Sequence, residues 1–151
     1  MVTYNVWVAK LTEDAKLPTR KYEDDAGFDI YSSVNIQIPP HSVEIVNTGI
    51  RFGFLSSARM RVVPRGRQDF LIGAGLIESN YQGELLVKIA NVTGETLDIR
   101  KGDSVGQVIF EANPLVELLE VQKENMHSYV DITARGATGG IVTQLEKQES
   151  N

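Results

Sequence analysis

Cysteine is missing from this chain, so disulfides, thiolate nucleophiles and cysteine-bound zinc are excluded. Histidine occurs twice, as His41 and His127, far apart and in turn-like surroundings. That leaves no support for a histidine zinc site or a serine–histidine pair. No apolar run approaches the length of a transmembrane helix. The opening "MVTYNVWVAKL" alternates instead of placing a basic segment before a long apolar one, so no signal peptide is expected. The expected location is intracellular and cytoplasmic, which gives the sequon "NVT" at Asn91 little meaning. An excess of positive charge is also lacking: the formal net charge is −5, which argues against broad nucleic-acid binding. Neither a nucleic acid nor a membrane is expected as a partner. No low-complexity tract interrupts the 151 residues, a length suited to one domain with a real core.

What is present is a β pattern. Val2, Tyr4, Val6 and Val8 alternate. "VNIQI" (34–38), "VEIV" (43–46), "ARMRVV" (58–63), "ELLVKI" (84–89) and "SVGQVIF" (104–110) are short strand-like runs. Turn chemistry at "PPHS", "NVTGET" and "RKGD" separates them. Many short strands so punctuated predict an all-β sandwich, barrel or jelly roll. "NPLVELLEVQKEN" (113–125) reads equally well as a helix or as a strand leaving the core. The end of the chain, rich in glycine and small polar residues, reads as a flexible C-terminal tail. The expected division is a β-barrel domain over residues 1–126 and an arm over 127–151.

Five segments combine glycine with a polar or charged residue: "AGFDIYSS" (26–33), "VPRGRQDF" (63–70), "GAGLIESNYQG" (73–83), "KGDSVGQVIF" (101–110) and "RGATGG" (135–140). Each has a plain structural reading by itself. "AGFD" can be a turn entering a strand, "PRGR" a solvated loop and "KGD" a hairpin turn. In "GLIESNYQGEL", Glu78 follows a glycine-rich apolar hairpin and is either a surface residue or the base of an active site.

In this order and spacing the five segments resemble the motifs of the trimeric dUTPase family over most of the chain, from about Lys16 to about Gly140. The resemblance implies a dUTPase-like β-clip or jelly-roll fold, and a homotrimer whose active sites are shared between subunits. It implies hydrolysis of dUTP to dUMP and pyrophosphate by water attack on the α-phosphorus, with Mg²⁺ on the triphosphate. Glu78 then takes the place of the water-activating carboxylate. Asp29 holds the metal through its water shell. Tyr81 packs under the deoxyribose and leaves no room for a 2′-hydroxyl. Uracil meets backbone groups from Ile72 through Gly75, Leu76 and Ile77, and at Leu86. Arg65, Gly66 and Arg67 face the phosphates, Gln107 bonds phosphate or water, and Arg135 with Gly136 clamps the terminal phosphate.

Several positions depart from the family pattern. Gly66 stands where a serine is usual, and the second motif is shorter. Ser104 and Gly106 replace arginine and alanine. Gly140 replaces the phenylalanine that covers uracil, leaving Ile141 or Val142 as an aliphatic lid. Glu78 replaces aspartate. Glutamate and aspartate are similar in basicity as residue types, but one extra methylene moves the carboxylate by roughly 1 Å, a displacement that can cost about 100-fold. The alternative reading is a catalytically impaired trimer of the same fold that binds nucleotide or protein. A deaminase of dCTP on the same fold ranks below both.

Overall fold

The computed structural model describes residues 2–66, 68–73 and 75–129. The chain divides into two units, Met1–Pro114 and Leu115–Asn151. The first unit holds the strands β1 (Trp7–Lys10), β2 (Gly27–Tyr31), β3 (Ile36–Ile38), β4 (Ser42–Asn47), β5 (Ile50–Gly53), β6 (Ala58–Val63), β7 (Leu71–Ile72), β8 (Gly75–Ile77), β9 (Leu86–Asn91), β10 (Leu97–Ile99) and β11 (Ser104–Ala112). All named pairings are antiparallel. The strand orders are β2-β11-β6-β8, β4-β9-β7, β1-β5 and β10-β3. This is the all-β, jelly-roll type of architecture expected from the pattern of short strands.

Alternation sorts side chains as a two-fold period requires. In β6, Ala58, Met60 and Val62 are buried. The intervening Arg59 and Arg61 face outward, where both meet Glu111 of β11, at 3.8 and 2.8 Å. Ile30, Ile38, Val46, Ile50, Val87, Ile89, Val105 and Val108 complete an aliphatic centre with no measurable exposure or nearly none. Phe110 closes one side of it, with ring centroids 6.4, 6.0 and 5.8 Å from Phe28, Phe52 and Phe54.

Two expectations need correction. The alternation from Val2 becomes a strand only at Trp7, because β5 offers four partners, Ile50 to Gly53. Tyr4 and Val6 still pack against the core without ladder bonds. Residues 113–122 are neither helix nor strand, and 123–125 enter a 3₁₀ turn. Asn113 is tied to Ser57 and Ser56 through its N–H and Nδ2 (2.9 and 3.0 Å). Leu115, Leu118 and Leu119 are exposed, and the only regular element of the second unit's described residues is a short 3₁₀ turn, Lys123–Ser128. Leucines at helical spacing fix a helix only when one face has something to pack on. The expected arm lies outside the described residues from position 130 onward. No helix of the described residues is long and apolar enough to cross a membrane.

The sequon asparagine has a structural task. Asn91 is buried. Its Nδ2 faces the carbonyls of Ile38, Pro39 and Glu95 at 3.0, 3.2 and 2.7 Å. Its Oδ1 accepts from the N–H and hydroxyl of Thr93, at 3.0 and 2.7 Å. The amide that a glycan would need is thus spent on closing the loop between β9 and β10. Replacing Asn91 with alanine leaves several buried groups unpaired, each worth about 1–3 kcal/mol. Asn91→Ala is expected to lower stability by about 2–4 kcal/mol, read as a reduced urea midpoint at fixed protein concentration.

Candidate active site

Two clusters of polar residues emerge from this frame. The first sits where β11 lies between β2 and β6. Gln107 is in register with Asp29 on one side and Val63 on the other. Directly opposed residues project to the same face of a sheet, so Asp29 and Gln107 stand side by side. The backbone of Asp29 is also held by Thr19, through bonds of 2.6 and 3.2 Å. Beyond Val63 the chain leaves β6 through Pro64, and Arg65 turns back across the sheet. Its Nε lies 3.0 Å from Asp29 Oδ1, with both side chains partly exposed. Gln107 donates from Nε2 to the Pro64 carbonyl at 3.0 Å.

In the observed rotamer the Gln107 amide fills the space that a side chain at Gly27 would take. A Cβ built on Gly27 would lie 2.1 Å from Gln107 Oε1 and 2.9 Å from its Cδ. The glutamine amide therefore rests directly on the Gly27 backbone. Gly66, by contrast, is exposed, and a Cβ there would meet nothing within 4 Å. The serine usual at that position would have room. Arg67, Arg135 and Gly136 lie outside the described residues, as do Gly140, Ile141 and Val142. Asp103, of the fourth segment, accepts from Arg100 N–H at 2.9 Å and closes the turn before β11.

The second cluster is the turn 78–85. It follows β8, which pairs with β6, and precedes β9, which pairs with β4 and β7. The glycine-rich segment expected as a hairpin is therefore a crossing between two sheets, since β7 and β8 take different partners. Tyr81 N–H donates to the Glu78 carbonyl at 3.0 Å and closes the turn. The Tyr81 hydroxyl donates to the Glu84 carbonyl at 2.6 Å. Gly83 lies under the ring, where a Cβ would come within 2.6 Å of the hydroxyl oxygen. The far end is anchored in the core: Leu85 is buried, its N–H donates to Ile50 O at 2.9 Å, and its carbonyl accepts from the Thr48 hydroxyl at 2.6 Å. Asn47 Nδ2 donates to a Glu84 carboxylate oxygen at 2.7 Å.

Above this turn opens a concavity of about 570 Å³, lined by Leu76, Ile77, Glu78, Asn80, Tyr81, Glu84 and Leu86. That volume suits a small ligand. The apolar residues offer faces for a planar group, and Glu78 is exposed and able to meet water. Of the expected base-reading residues, Leu76, Ile77 and Leu86 line it, whereas Gly75 does not. Ile72 packs against the core, with its Cδ1 close to Gly106. Asn80 and Glu84 are lining residues that sequence reasoning did not select, and their only signal was proximity to Tyr81. The lining contains none of Asp29, Arg65 and Gln107.

The family model for dUTPase matches residues 13–139. The human mitochondrial deoxyuridine 5'-triphosphate nucleotidohydrolase is 36% identical over 135 residues, covering 87% of this chain and 51% of that protein. The fowlpox virus enzyme of the same name is 31% identical over 138 residues, covering 89% of this chain and 93% of its own. Among solved structures, the Staphylococcus bacteriophage 80alpha dUTPase with dUPNHPP superposes with a TM-score of 0.77 at 19% identity, over 89% of this chain and 95% of that one. A dUTPase variant from phage phi11 of S. aureus, described with a structural Mg(II) ion, gives 0.74 at 22% identity, over 81% and 99%. These two structures share the fold.

The contact between Gly27 and Gln107 generates a direct test. Gly27→Ala must push the Gln107 amide away and break its bond to Pro64. The amide is the free end of a flexible, partly exposed side chain, so the thermal midpoint is expected to change little, while the lost bond is read as increased amide exchange at the end of β6.

Proposed function

The chain belongs to the dUTPase family, and from that premise we propose how its residues divide the work. The protein hydrolyses dUTP to dUMP and pyrophosphate. A water oxygen bonds to the α-phosphorus, the bond from that phosphorus to the α–β bridging oxygen breaks, and pyrophosphate leaves. The water's proton passes to a general base. The base proposed is Glu78, and the observation that carries this is its exposed position in one concavity with the Tyr81 ring. Tyr81 is tied at its hydroxyl and seated over Gly83, which supports its assignment as a platform for the deoxyribose that rejects a 2′-hydroxyl. Leu76, Ile77 and Leu86 supply apolar contact to uracil, and backbone groups of the 72–77 segment read its edge.

The phosphates go to the other cluster. Arg65 offers a guanidinium, Gln107 an amide, and Gly66 with Arg67 the open backbone and second cation of the loop. Arg135 and Gly136 of the C-terminal arm are assigned to the terminal phosphate. Such fixed donors stabilise charge that develops on phosphate oxygens. Among the described residues no group of three or more His, Cys, Asp or Glu could hold a metal by itself. Asp29 is a single hard carboxylate, which fits a Mg²⁺ carried by the triphosphate and reached through its water shell. Bound there, the ion would neutralise phosphate oxygens. The chain's own share is to keep Asp29 and Arg65 in place.

A complete site needs both clusters, yet the concavity around Glu78 includes no residue of the Asp29–Arg65–Gln107 group. This supports a homotrimer in which one subunit gives Glu78 and Tyr81 and another gives Asp29, Arg65 and Gln107.

Release of dUMP and pyrophosphate with Mg²⁺ is expected from dUTP and not from UTP, dCTP or dTTP. Glu78→Ala should lower kcat by about 10²–10⁴-fold, and a variant that stays near wild type would remove Glu78 as the base. Glu78→Asp should also lose about 100-fold, because the site is set for the longer side chain. Sharing of the site has its own test. Glu78→Ala and Arg65→Ala chains, each inactive, are unfolded together and refolded at equal ratio. Random assembly should restore roughly one quarter of wild-type activity if the two residues serve one site from different subunits. No recovery is expected if each site belongs to a single chain.

A further inference from the structure

The Pro64 carbonyl and the Arg65 N–H belong to one peptide group, and both of its ends are held by glutamine side chains. Gln107 Nε2 donates to the Pro64 oxygen at 3.0 Å. The Arg65 N–H donates to Gln68 Oε1 at 2.9 Å. Gln68 is half-buried, and its own Nε2 leans on the Phe70 carbonyl at 3.5 Å. We propose that Gln68 is a positioning residue: with Gln107 it fixes the plane of the Pro64–Arg65 peptide and so aims the Arg65 guanidinium at the phosphates. This rests on the reading that Arg65 is a phosphate ligand.

The physical need is local. Proline fixes its own φ near −65°, which leaves rotation about the Pro64 Cα–C bond as the soft coordinate upstream of Arg65. A peptide bonded at both ends cannot turn about that bond without losing two hydrogen bonds. The side chain that departs from it then reaches Asp29 Oδ1 at 3.0 Å. Arginine is rich in rotamers, and ordering it at the moment of binding would cost affinity. A held peptide and a waiting carboxylate reduce what remains to be ordered. Here the second motif is short and has Gly66, so the loop supplies no side chain at that position to brace itself. Gln68 bonds back to the peptide from three residues on. Close packing supports it: a Cβ at Gly106 would lie 3.3 Å from the Val63 carbonyl and 3.9 Å from Gln68 Oε1.

The test uses Gln68→Met, which keeps the bulk and removes the acceptor. Two readouts are taken. One is hydrogen–deuterium exchange at the Arg65 amide, which does not depend on activity. The other is the Kd for a non-hydrolysable dUTP analogue with Mg²⁺, in the wild-type and the Arg65→Ala backgrounds. Exchange at Arg65 is expected to speed up by about tenfold and Kd to weaken by about tenfold, the scale of one lost hydrogen bond to an ordered group. In the Arg65→Ala background the substitution should be silent, since it acts through Arg65. Unchanged exchange, unchanged Kd, or an additive effect in the double variant would overturn the assignment. If Gln68→Met does not fold, Gln68→Glu, which retains an acceptor oxygen, must keep the Arg65 amide protected, and a loss of protection there overturns it equally. If the wild-type chain fails to bind the analogue, the phosphate reading fails and takes the role of Gln68 with it. The exchange result then separates that failure from a mistaken clamp.

Discussion

Strand β11 is the constraint on which the site depends. Its nine residues pair with β2 along one edge and with β6 along the other. A strand bonded on both edges cannot slide, because a shift of one residue would turn Val105 and Val108 out of the core. The same register that buries those valines sets Gln107 between Asp29 and Val63. Hydrophobic burial thus fixes the location of polar chemistry, and Gly27 removes the one side chain that would occupy the space Gln107 needs.

The turn that carries Glu78 obeys a similar logic by other means. It is exposed at its tip and held at its base, where Leu85 is buried and bonded to Ile50 and Thr48. Tyr81 is braced by Glu84 and seated on Gly83. One short segment therefore supplies both an exposed carboxylate and a braced ring, the two groups proposed for the base and the sugar platform. The concavity around Glu78 includes none of Asp29, Arg65 and Gln107, and the proposal that copies share a site rests on that separation.

Much of this was legible in the residues. The run "ARMRVV" became β6 with its expected limits, because alternation and β-branched content agreed. The five glycine-containing segments marked the family, and Glu78, Tyr81, Asp29, Arg65 and Gln107 were selected as site candidates through them. Other features were not legible. The alternating N-terminus lacked a long partner, and among the described residues Leu115, Leu118 and Leu119 are exposed. Gln68 and Asn80 lie inside the quoted segments without having been selected, Glu84 lies just beyond one of them, and a glutamine four residues after a proline carries no local signal of the peptide it holds. The sequon at Asn91 was set aside as carrying little meaning, and the burial of its amide among three carbonyls could not be read from it.

By itself the sequence determined the residue types and their order: an all-β chain without cysteine, with a carboxylate and a tyrosine at one turn and cations beside glycines elsewhere. These properties are local, since strand propensity, turn chemistry and the period of two act over a few neighbours. Tertiary structure alone decided which of those residues meet. Asp29 finds Arg65 across β11, two glutamines far apart in the chain grip one peptide, and Glu78 stands in a concavity that does not include the Asp29–Arg65–Gln107 group. Such meetings depend on strand register and sheet order, which are set by long-range burial and are not written in any single stretch of residues.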